Sequence, residues 1–286
     1  MAQKNKWELL SITFKSELDK VLLQHHHAAQ FVALAGRYLI PKKPDGSNIN
    51  MQFLPEKEML LGNPHPDGWV VGVQLKKLAV QLLDQNRRVN VEILLDGKTF
   101  SDAFQEFKTK LKNNGIDISE LKTKQPYELP VDSLKDGKYF SIKSVDAVNE
   151  NIRYRQNAEL IINEFATGFK DIEPIRIWPH HFDTGTFASL ERNGKGEATK
   201  TIGLGWAIPD SMVSEPYYYL SFWSKIPINT GGNSGSLPAG KWMMPNWNGA
   251  VLKLSEIIQK ETPEEQYNLV KSFFESGLNI LREKLK

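Results

Sequence analysis

The 286-residue chain has no cysteine, which excludes disulfides, thiolate nucleophiles and cysteine-ligated zinc or iron–sulfur centres. An excess of either charge is also missing. Thirty-six basic side chains face thirty-four acidic ones, a formal +2, so the net charge gives no reason to expect nucleic acid or an anionic membrane as partner. No apolar stretch approaches the roughly 20 residues that cross a bilayer. The opening MAQKNKWELLSITFKSELDK spreads charge where a secretory signal is apolar, and no Asn-x-Ser/Thr sequon occurs. The expected setting is the cytoplasm, with neither membrane nor nucleic acid as partner. Histidine is scarce, at six residues, which makes its clustering informative.

What is present is the composition of a globular protein, 40% apolar and 24% charged. Leu18, Val21, Leu22, His25, Ala29, Val32 and Leu39 recur at three- and four-residue steps and predict a helix over residues 6–39, ended by Pro41 and KKPDGS. Residues 50–54, 68–75, 78–83 and 88–95 read as strands. Their short connections imply antiparallel pairing, because a parallel pair needs a long crossover. A helix capped by Ser101 runs to Gly115, and residues 122–144, with Pro126, Pro130, Asp136 and Gly137, read as a linker. The second half repeats the coarse order: a long helix over 146–169, polar on most faces in its first half, strands over 175–187, 199–207 and 216–223, then helices over 249–259 and 263–285. The expected fold class is α+β, a mainly antiparallel sheet covered by long N-terminal, middle and C-terminal helices. It forms a single compact domain or two lobes, 1–125 and 140–286, joined around 122–144.

The stretch IRIWPHHFDTGTF, residues 175–187, puts Trp178, His180, His181 and Asp183 within six positions. On a strand, residues two apart share a face, so His181 and Asp183 would point one way and His180 and Phe182 the other. A His-x-Asp pair of that kind supplies two ligands to a divalent metal, or the aspartate orients the histidine as an acid–base catalyst. No histidine follows His181, so a third ligand has to come from the run His25, His26, His27, from His65 or from a carboxylate. Successive helical residues turn by about 100°, so at most two of the three neighbours reach one site; His25 and His27 are the candidates, beside His181 and Asp183. The alternative is that these histidines are hydrogen-bonded elements of the fold. His65, in NPHPDG, reads as a loop residue.

A second cluster is aromatic: Trp206, Tyr217, Tyr218, Tyr219, Trp223, Trp242 and Trp247 suit a flat or sugar-like ligand, a protein surface or a core. Tyr217 and Tyr219 share a strand face that Tyr218 does not. GSLPAGK at 235–241 has P-loop spacing up to its lysine, yet Trp242 stands where Ser or Thr should bind magnesium and Pro238 removes a backbone donor, so it is no phosphate loop. Residues 230–240 read as a covering loop, and Ser234 is not in a G-x-S-x-G elbow.

The strings HHAAQ at 26–30, Pro-Asp-x-Ser at 44–47, WPHHFD at 178–183 and E-P-x-Y-Y from Glu215 resemble those of a family of uncharacterised bacterial proteins. That resemblance spans most of the chain and implies one compact unit, with no activity attached. The residues themselves suggest a small-molecule pocket lined by Trp178, His180, Trp206, Tyr217, Tyr219 and Trp223 beside His181 and Asp183. The other readings are a non-catalytic interaction module with an aromatic surface, and a metal-dependent or His/Asp acid–base enzyme.

Overall fold

The structure, a computed structural model, describes residues 6–13, 15–129, 134, 137–227 and 235–285. It is an α+β protein with antiparallel sheets. The chain divides into two compact units. The N-terminal unit is Lys15–Ile152 with Arg176–Phe182; the C-terminal unit is Met1–Phe14, Arg153–Ile175 and Asp183–Lys286. This division differs from the two lobes expected from the linker-like composition at 122–144, because Leu134 and Phe140 there are buried in the N-terminal unit instead of spanning a gap.

In the N-terminal unit, α1 (Ser16–Tyr38) is buried on every face from His25 to Gly36. Gly36 is required there: a Cβ would stand 2.4 Å from the Asn48 carbonyl oxygen. Five strands follow as an antiparallel meander, β1 (Gln52–Leu54), β2 (Met59–Leu61), β3 (Val70–Gln74), β4 (Ala79–Leu83) and β5 (Val89–Leu94). β2 was not expected, being only three residues long after the left-handed Glu58. The apolar runs of β3 and β4 are buried under α1, whereas β5 alternates, with Val91 and Ile93 inward and Glu92 and Leu94 outward. Next, α2 (Phe100–Asn113) is capped by Thr99, whose Oγ1 accepts from the Asp102 N–H, two residues before the expected Ser101. Its Phe100, Phe104 and Phe107 pack around Phe31 of α1 at centroid distances of 4.9, 6.4 and 5.6 Å. A helix α3 (Val145–Ala166) crosses the division between units, and β6 (Arg176–Ile177) bonds back to Met51.

The C-terminal unit holds β7 (Thr184–Arg192), β8 (Ala198–Ala207), β9 (Tyr217–Ser224), β10 (Lys241–Trp242) and β11 (Gly249–Lys253), side by side as β10-β11-β9-β8-β7. The expected helix over 249–259 is a strand for its first five residues and only then the short α4 (Leu254–Ile257). Pairing of β11 with Tyr217–Ser221 overrides the local helical preference. The last helix, α5 (Pro263–Lys284), starts on a capping box in which Thr262 and Glu265 satisfy each other's backbone N–H. Residues 6–13 do not continue α1 as expected, since the Trp7 indole donates to Gln266 and packs against Tyr218, tying this segment to the C-terminal unit. Tyr218 faces that core with Phe274, and Tyr217 and Tyr219 share the opposite face, as the strand period requires. Among the described residues, no helix is long and apolar enough to cross a membrane.

Candidate functional site

The His-rich stretch is a turn, which corrects the expected strand. After β6 ends at Ile177, residues 179–181 form the turn, the Phe182 N–H donates to the Trp178 carbonyl at 2.6 Å, and Phe182 takes a left-handed φ of 57°. Strand alternation therefore no longer sets the faces of His181 and Asp183. His181 is exposed, Trp178 and His180 are half-buried, and Phe182 is fully buried.

The helical histidines also part company, as the 100° step demands. His25 uses both ring nitrogens: Nε2 donates to the Leu75 carbonyl at 3.1 Å and Nδ1 accepts from Asn151 at 2.7 Å. His26 Nε2 donates to the Pro179 carbonyl at 2.9 Å, and its ring stacks on Phe182 at 4.9 Å. His27 lines a cavity. Among the described residues, no three His, Asp or Glu side chains gather as a metal ion would require. The candidate ligand set His25, His27, His181 and Asp183 is corrected on that ground and because His25 has no lone pair left to offer. His65 sits in its loop, stacked on Trp69 at 4.6 Å.

The cavity beside His27 has a volume of 860 Å³ and lies wholly within the N-terminal unit. One wall is α1, with His27, Gln30 and Leu34; another is the start of α2, with Thr99, Phe100, Ser101 and Phe104; the third is residues 121–129. Gln30 is the fixed point. Its Nε2 donates to the His26 and Pro179 carbonyls at 3.1 and 3.0 Å, and its Oε1 accepts from the Tyr127 hydroxyl at 2.9 Å. Burial keeps that hydroxyl protonated far above the ordinary tyrosine range, with Arg37 opposing. The Tyr127 ring lies 5.6 Å from that of His180, whose pKa is lowered, first by burial and then by the neighbouring His181. Thus His180 is brought to the cavity wall through Tyr127, and His180 is held towards its neutral form.

The other predicted residues belong to the C-terminal unit, where all but Trp223 are held among packed partners. Asp183 Oδ2 accepts from the Tyr219 hydroxyl at 2.7 Å, and Tyr217 donates to Asp210 at 2.6 Å. The Tyr219 ring rests on glycine: a Cβ at Gly205 would come within 2.3 Å of it. Fully buried Arg155 donates to the Thr184 hydroxyl at 2.8 Å and lies 5.2 Å over the Trp206 ring, which stacks on Tyr154. Burial lowers the Arg155 pKa to about 9 against the pull of Asp183 and Glu159. Trp206 is core, whereas Trp223 is 49% exposed. In the rejected phosphate loop, Lys241 opens β10 and no helix follows. Of the expected covering loop 230–240, residues 230–234 lie outside the described residues, as do 130–133, 135 and 136 of the expected linker.

Sequence reasoning missed Gln30, Tyr127, Phe100, Phe104 and Arg155 as parts of these sites. Gln30 was visible inside HHAAQ, one helical turn after His26. Arg155 was visible in the polar part of α3, where Glu150, Asn151, Arg155 and Asn157 are all completely buried. No family model, no curated protein and no solved structure matches this chain.

Proposed function

We propose that the protein binds a small organic molecule in the cavity formed by α1, α2 and residues 121–129. The observation that carries this reading is the hollow itself, 860 Å³, inside the range of about 300–1,000 Å³ typical of small-molecule sites. Its surface combines an apolar floor with a few polar groups held in place, the combination that gives such sites affinity and orientation. Phe100 and Phe104 lie nearly parallel, 9° apart, on that floor. Gln30 is locked from both ends of its amide. The buried Gln125 Oε1 on the same wall accepts no hydrogen bond among the described residues, and a ligand donor there would offset the cost of its burial. The setting of this activity is taken to be the cytoplasm, on the strength of a cysteine-free sequence without sequons.

The neutral dye N-phenyl-1-naphthylamine, which fluoresces in apolar surroundings, tests the reading. It is expected to bind saturably with one equivalent, and Gln105→Trp, at an exposed position of α2 that lines the cavity, is expected to abolish the signal. Binding unaffected by Gln105→Trp would contradict the assignment. A docking role is the second reading, favoured by Trp223 and Ile226 of the C-terminal unit, 49% and 73% exposed. Its test is whether Trp223→Ser with Ile226→Ser changes the sedimentation of the concentrated protein.

A further inference from the structure

We infer that the ligand of this cavity is an amphipathic organic anion, an apolar body carrying one carboxylate or comparable acid group. The inference rests on the binding reading above and adds the sign of the ligand's charge.

Lysines Lys108, Lys122 and Lys124 line the hollow, with Glu128 the one acid among the described lining residues. Lys108 is half-buried, and neither it nor Lys124 makes an ion pair among the described residues. Lys122 has only an exposed partner, Glu120, at 3.4 Å, a contact of little strength in water. Three ammonium groups lining an apolar hollow, with only weak counter-charges among the described residues, favour an incoming acid. The same lining includes Leu34, Phe100, Phe104, Leu121 and Leu129, a surface that favours an apolar body for the molecule.

The charge pattern is directional. Residues 114–128 border two hollows of the N-terminal unit, the 860 Å³ cavity and a 520 Å³ groove carrying Asp67, Asp117 and Glu120 with neither lysine nor arginine. Of this stretch, Asp117 and Glu120 border one hollow, while Lys122 and Lys124, with Glu128, border the other. A net charge near zero hides this sorting, and of these two hollows the one with the aromatic lining has the basic side. The start of α2 plays no part in the selection, since Asp102 already sits at its positive end, bonded to Thr99.

The experiment keeps the tail constant and varies the head. Octanoate, octan-1-ol and octylamine, each below its micelle threshold, compete with N-phenyl-1-naphthylamine on the full chain. Octanoate is expected to displace the dye at about a tenth of the octan-1-ol concentration, with octylamine the weakest. In the variant Lys108→Gln, Lys122→Gln, Lys124→Gln, octanoate should fall to the octan-1-ol value, while octan-1-ol itself is unchanged and so reports an intact cavity. Equal displacement by octanoate and octan-1-ol in the unaltered protein would overturn the inference and leave the binding reading standing, as would an octanoate advantage that survives the triple substitution. Failure of the dye to bind at all strikes the binding reading, and the inference falls with it.

Discussion

The two units treat their polar side chains in opposite ways. In the C-terminal unit, Arg155, Asp183, Tyr219 and Trp206 are closed over one another, with glycines at 185 and 205 shaped to the Tyr219 ring. In the N-terminal unit, Gln30, Gln125, Tyr127 and three lysines border an 860 Å³ hollow. The difference teaches that a dense cluster of titratable and aromatic residues is weak evidence for a site when its members pack on one another and leave no hollow between them. A sparser set around empty space is stronger evidence, because the Gln125 Oε1 and the charges of Lys108 and Lys124 have no partner among the described residues.

The largest expected effect comes from breaking the closed network. Arg155→Leu leaves Asp183 buried without its cation and Trp206 without the guanidinium above it. Loss of about 3–5 kcal/mol in denaturant-measured stability is expected, with dye binding in the other unit intact. A loss below about 1 kcal/mol would show that the network is not closed.

Next in size is a pH effect in the same unit. Burial raises Glu159 to about 7, with Asn163 and Arg155 opposing. A carboxyl whose folded pKa lies above its unfolded value near 4.5 binds more protons folded than unfolded, so its contribution to stability falls as pH climbs from about 4.5 to 7. At about 1.4 kcal/mol per unit, discounted for partial exposure, the decline is on the order of 2 kcal/mol. Glu159→Gln should flatten that part of the stability–pH curve, and an unchanged curve would refute the assignment.

The smallest effect belongs to the open site. Tyr127→Phe removes one hydrogen bond to Gln30 and should cost about 1 kcal/mol in thermal or chemical denaturation. A cost as large as that of Arg155→Leu would mean that the cavity wall is as tightly knit as the network, and the contrast between the units would disappear.

Much of the architecture was legible because it follows from period and punctuation. β5 and β9 alternate, Thr262 with Pro263 and Glu265 announces α5, and short connections announce antiparallel pairing. Misreadings arose where tertiary contacts overrule local preference. Residues 249–253 are helical in composition but pair with β9, and residues 6–13 carry a helical pattern but anchor Trp7 on Gln266. The candidate site was legible in part. WPHHFD does reach the cavity wall, through His180 and Tyr127. Its Asp183, three residues on, enters the other unit, and no pattern in the string signals that parting; it is set by a turn at 179–181 and the left-handed Phe182. The cavity itself, built from α1, α2 and 121–129, joins segments about 90 residues apart, a distance over which one sequence carries no contact information.

The most direct measurement is a crystal structure of the full chain with N-phenyl-1-naphthylamine bound. The dye should lie over Phe100 and Phe104, within reach of Gln125 and Tyr127. Density for it against Trp223 and Ile226 instead, with the 860 Å³ hollow left empty at saturating dye, would contradict the assignment of the binding site.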